Sequence, residues 1–121
     1  MRAQPIARVM FGLLAIAGAT IGAWAEAAPH SFYRSFPGFG RHWLPPLGPY
    51  NEHMVRDFGA LNLGLAAAAV VAAILLGAAA WAAAAAWLAY SLPHLIFHAI
   101  HTEPYGTVDN VANLVLDWLQ E

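Results

Sequence analysis

The chain contains no cysteine and no lysine. Without cysteine, disulfides, thiol redox chemistry and thiolate metal sites within the chain are excluded. Without lysine, and with only five arginines, no basic cluster exists to neutralise a row of phosphates, so nucleic acid is not a partner. Charge of either sign is scarce: Asp, Glu, Lys and Arg make up 10% of the residues, against about 25% in ordinary soluble domains. The formal net charge of −2 gives no field that would draw an acidic substrate. No phosphate-binding glycine loop, nucleophile elbow or dinucleotide fingerprint is present. The Gly38-Phe-Gly40 pair has no helix pattern after it.

What remains is apolar. Of 121 residues, 60% are hydrophobic, and two long runs carry no formal charge: residues 9–25 and residues 58–102. A small soluble domain cannot bury so much apolar surface. A spanning helix needs about 20 apolar residues, so the first run makes one span and the second makes two. The expected fold is an all-α integral membrane protein with helices at about 6–25, 54–76 and 79–101. The turn between the last two is placed near Gly77 and Ala78, where the run Ile74-Leu75-Leu76 ends and Trp81 sits at belt level. Residues 107–120 form a fourth, shorter segment. Val108, Val111, Val115, Trp118 and Leu119 share one side, and Asp109, Asn110, Asn113 and Asp117 interrupt the other. Fourteen residues rise only about 21 Å as a helix, so an amphipathic helix packed on the others or lying at the interface is expected.

The first span has a second reading. Arg2 and Arg8, the apolar stretch and Ala23-Trp24-Ala25 have the layout of a secretory signal peptide. The Gly18/Gly22 spacing favours a retained helix, because small residues four apart let helices approach closely. That face and the Ala66–Ala69 and Ala82–Ala86 runs are expected to meet a protein partner or a second copy, with the lipid bilayer around them. The two arginines before the first span place the N-terminus in the cytoplasm and the chain in the cell membrane. The segment 26–53 then lies outside. Its aromatics at 32, 33, 36, 39, 43 and 50 and its prolines at 37, 45, 46 and 49 fit an ordered cap at the headgroups better than a solvated tether. The competing reading is a lid over a site.

Six histidines are the main titratable chemistry. If a tight turn joins the second and third helices at residues 77–78, residues whose numbers sum to 155 lie level. His98 then faces Asp57, His101 faces Met54 beside His53, and His94 faces Leu61 beside Asn62. His94, His98 and His101 stand at i, i+4 and i+7, and His53 and Asp57 at i, i+4, so each set shares a face. His30 and His42 lie in the loop at the same end. The candidate site is therefore His53, Asp57, His94, His98 and His101 at the outer ends of the two helices. Three or four imidazoles with a carboxylate suit zinc, copper or iron, and facing histidines suit haem. The plainer reading is structural, with His98 bonded to Asp57 to pin the hairpin. Pro93 cannot donate to the carbonyl of Ala89, so His94 is expected beside a freed carbonyl. Arg56 is expected to reach the headgroups or pair with Glu52. With no catalytic signature, the expected role is a small accessory or structural subunit, with histidine-based metal or haem binding as the alternative. A histidine proton shuttle in a membrane enzyme ranks third.

The stretches SFYRSFPGFGRHW, GPYNEHMVRDFGALNLGL and WLAYSLPHLIFHAIH resemble a group of small polytopic membrane proteins of high-GC bacteria, DoxX-like in layout. In that group a Tyr-Asn-Glu-His-x-x-Arg-Asp segment opens the second helix and Pro-His-Leu-x-x-His closes the third. The resemblance covers about residues 31–113 and highlights Tyr50, Asn51, Glu52, His53, Arg56, Asp57, His94 and His98. It implies a partial four-helix bundle and carries no established activity.

Overall fold

The computed structural model describes residues 3–103 and 105–120, with side chains described up to residue 116. Its helices are α1 (Ala3–Ala27), α2 (Pro29–Ser35), α3 (Glu52–Leu75), α4 (Gly77–Ile100) and α5 (Thr107–Gln120), with a single 3-10 turn at Pro45–Leu47. The protein is all-helical, and α1, α3 and α4 are each long and apolar enough to cross a membrane. Helix α3 begins two residues before the expected start because Asn51 caps it: its side chain accepts from the N–H of Met54 at 3.1 Å. Helix α2 was not expected. Pro29 opens it at a position where its missing N–H costs nothing.

Helices α1 and α3 run antiparallel in close backbone contact. A Cβ on Gly22 would lie 2.7 Å from the carbonyl oxygen of Gly59, and one on Gly18 would lie 2.9 Å from that of Asn62. Ala25, Ala66, Ala69 and Ala72 fill the same seam. The Gly18/Gly22 face, expected to meet a partner, is therefore occupied by α3 of the same chain. Its glycines serve folding because only a missing side chain permits this approach.

An arginine closes each end of the seam. The last carbonyls of a helix lack intrahelical partners and carry the negative end of its dipole. Arg8 of α1 donates to the carbonyls of Ala73 and Ile74 in the last turn of α3, the second at 2.8 Å. Arg56 of α3 donates to the carbonyl of Glu26 in the last turn of α1. It also makes the expected pair with Glu52, at 2.9 Å.

The α3–α4 turn is tighter and earlier than residues 77–78. It is made by Leu76 (φ 56°, ψ −153°) and Gly77 (φ 57°). Glycine adopts such a backbone freely, whereas a bulky residue there is strained. The register follows from the turn. The Trp87 indole N–H donates to the carbonyl of Leu65 at 3.2 Å, and Asn62 Nδ2 donates to the Tyr90 hydroxyl at 3.3 Å. Both pairs sum to 152, twice 76. Trp87, 2% exposed, fills the point where α1, α3 and α4 meet. Helix α4 continues through Pro93 without a break.

Helix α5 packs on α4 with its polar side inward. Asn113 is buried, while Val108, Val111, Val115 and Leu116 are exposed. This helix buries its amides against the protein and turns its valines outward, the reverse of a helix on a water-soluble domain. That orientation suits apolar surroundings. Trp118 and Leu119, assigned to the same side, have side chains outside the described set.

Candidate functional site

The loop between α1 and α3, the last turns of α4 and the start of α5 gather at one end of the bundle. Trp43, Phe36, Phe32, Phe58, Tyr90, His94, His98 and Tyr105 follow one another there in ring-to-ring contacts of 4.7–6.4 Å. The hydroxyl of Tyr105 donates to the carbonyl of Trp43, so the succession closes on itself. Burial, followed by the nearby charge of Asp109, holds the Tyr105 phenol above its ordinary 10.0. It therefore stays a neutral donor.

The loop is ordered and bonded to its surroundings. Tyr33 donates to the carbonyl of Gly48 at 2.6 Å. Asp109 of α5 accepts from Arg41 at 2.8 Å and from the indole N–H of Trp43 at 3.0 Å. One carboxylate thus ties the loop to α5. The pull is charge-assisted, and Trp43 is buried beneath it.

Two members of this succession, His94 and His98, have Nε2 atoms 2.8 Å apart. One imidazole donates through Nε2 while the other accepts there and keeps its proton on Nδ1. Tyr90 stands next along α4, and its hydroxyl meets the buried Asn62. Ser91 shares the face, and its hydroxyl is buried with no partner among the described residues. This is a polar stripe within a spanning helix, where such groups are costly and mark function or tight packing.

The five expected site residues do not form one cluster. His94 and His98 are together. His53 and Asp57 pair with each other at 3.1 Å, both well exposed. His101 stacks on Phe97 at 4.2 Å, and its Nδ1 donates to the Phe97 carbonyl. Among the described residues no group of three or more histidines and carboxylates is placed to hold a metal ion. The expected His98–Asp57 bond is absent, and the register explains it. With the turn at Leu76, His98 is level with Met54, and Asp57 lies a turn away on α3. Asn62, Tyr90 and Tyr105 were missed as members of the site. Asn62 could have been found, since a lone amide inside a 45-residue uncharged run demands a partner.

No family model matches the chain, and neither curated proteins nor solved structures provide a match.

Proposed function

We propose that the protein is a small accessory or structural subunit of a larger membrane complex. The observation that supports this is the outward face of α4. Ala78, Ala82, Ala85, Ala89, Leu92, Ile96 and Ala99 alternate at spacings of four and three, and all are exposed. Large side chains suffice against lipid, whereas a stripe dominated by alanine lets a neighbouring helix bring its backbone close. Replacing Ala85 and Ala89 with Leu keeps the face apolar but blocks that approach. The native chain, extracted in mild detergent, is expected to carry a partner helix that the double variant loses. A wild-type chain that runs as a stable, partner-free monomer ends the proposal.

We place the N-terminus on the cytoplasmic side of the cell membrane, supported by Arg2 and Arg8 at the N-terminal end of the first span. A cysteine at Gly40, in the loop, should then react with an impermeant thiol reagent on intact cells. Labelling only after lysis would invert the topology.

The 2.8 Å His94–His98 approach favours a second reading, a site for a metal ion held by both imidazoles or for a haem held by one of them. Metal analysis and an optical spectrum of the purified chain test it. Stoichiometric metal or a Soret band, lost when both histidines become Ala, supports it. A colourless, metal-free, folded sample leaves the pair as packing and hydrogen-bonding groups.

A further inference from the structure

We propose that an open groove on α2 binds a phosphate-type anion. The groove has a volume of about 630 Å³ and is lined by His30, Ser31, Tyr33, Arg34, Ser35 and His42, with Pro45 at its edge. No carboxylate lines it. His30 and Arg34 stand at i, i+4 on α2, and Ser31 and Ser35 repeat that spacing beside them, so a cation and two hydroxyls present together.

The protein's own bonds leave these groups available. Arg8, Arg41 and Arg56 are each committed to carbonyls or carboxylates. Arg34 is the one described arginine whose guanidinium has no such acceptor. Ser31 Oγ accepts from the Trp24 indole at 3.1 Å, which leaves the serine's own proton to donate. His42 Nδ1 donates to the Arg34 carbonyl at 2.6 Å, which fixes the ring against α2. Tyr33, also lining the groove, has its hydroxyl committed to the Gly48 carbonyl. A planar guanidinium beside hydroxyl donors, with no competing acid, matches the oxygens of a phosphate.

The location supplies two sources for such a group. Helix α2 follows the spanning helix α1 after a single residue, Ala28. Trp24, which contacts Phe32 of α2, and Tyr33 on α2 are of the type that sits at headgroup level. The phosphate can therefore belong to a lipid headgroup or be free in solution.

The test uses the full chain in a neutral detergent with three probes: inorganic phosphate, phosphatidylglycerol in mixed micelles, and phosphatidylcholine in mixed micelles. The readouts are the thermal midpoint and retained ligand by native mass spectrometry. Phosphatidylglycerol or phosphate is expected to raise the midpoint of wild type, and phosphatidylcholine to do so far less. R34Q should weaken the effective probe on the order of tenfold, as loss of a charge-assisted contact does, and R34K should fall between. Without probe, R34Q should melt like wild type, because the Arg34 side chain holds no other part of the fold. A response to phosphatidylglycerol alone assigns a lipid headgroup, and a response to inorganic phosphate assigns a soluble anion. The proposal is overturned if neither probe affects wild type, or if R34Q responds as wild type does.

Discussion

Gly22→Val and Gly59→Val are each expected to separate α1 from α3 and to leave little folded protein in detergent. At Gly22 a new Cβ would lie 2.7 Å from the Gly59 carbonyl oxygen and 2.9 Å from the backbone nitrogen of Leu63. At Gly59 it would lie 2.9 Å from Ala25 Cβ and 3.1 Å from the backbone nitrogen of Glu26. These are mostly backbone atoms, so no side chain can swing aside, and the helices must move apart along the seam. Overpacking costs roughly 1–3 kcal/mol where neighbours can yield. Here the cost should exceed that range, because separation also pulls Arg8 and Arg56 off the carbonyls they cap. Gly12→Val and Gly64→Val are the controls, since a Cβ at either meets nothing within 4 Å. Thermal unfolding followed by tryptophan fluorescence separates the pairs. If G22V melts like G12V, the α1–α3 seam described above is wrong.

The second large effect is expected at Asp109. Asp109→Ala removes the acceptor shared by Arg41 and the Trp43 indole, and it leaves a buried N–H with no partner. Hydrogen bonds to a charged group contribute about 1.5–3 kcal/mol, and stranding a buried donor adds desolvation. Half-exposure of Arg41 discounts its share. A net loss of about 2 kcal/mol follows, concentrated in the loop because the α1–α3 seam is untouched. Hydrogen exchange should rise across residues 36–48 and at the start of α5 while α1 and α3 keep their protection. Asp109→Asn, which retains an acceptor oxygen without the charge, should lie between. Uniform loss of protection through all helices would mean that the loop is no separate cap.

How far the sequence could be read depended on the scale of the question. The three spans were visible because the gaps between Arg8 and Glu26 and between Asp57 and Glu103 are long and uncharged, and lipid selects on that property directly. Residues 107–120 were visible as a helix from Asp109 in its first turn and the valines at helical spacing. The capping role of Asn51 and the helix behind Pro29 were local signals that the aromatic and proline pattern of the loop obscured. The inward turn of α5's polar side was not visible, because an amphipathic pattern marks two faces without saying which one meets protein.

The sequence by itself determined that this is a multi-helix membrane protein with most of its titratable chemistry at one end of the bundle. It did so because hydrophobic run length and the end at which a residue falls depend only on order along the chain. Only the tertiary structure decided which of those residues meet. A helix turns about 100° per residue, so moving the α3–α4 turn from residues 77–78 to Leu76 was enough to rotate Asp57 away from His98. What remain are the two pairs within single helices that spacing already set on shared faces, His94 with His98 and His53 with Asp57. The same step placed Tyr90 against Asn62, and the separate packing of α1 gave Gly18 and Gly22 to α3. Between α3 and α4 that register begins at the turn of Leu76 and Gly77, both at positive φ.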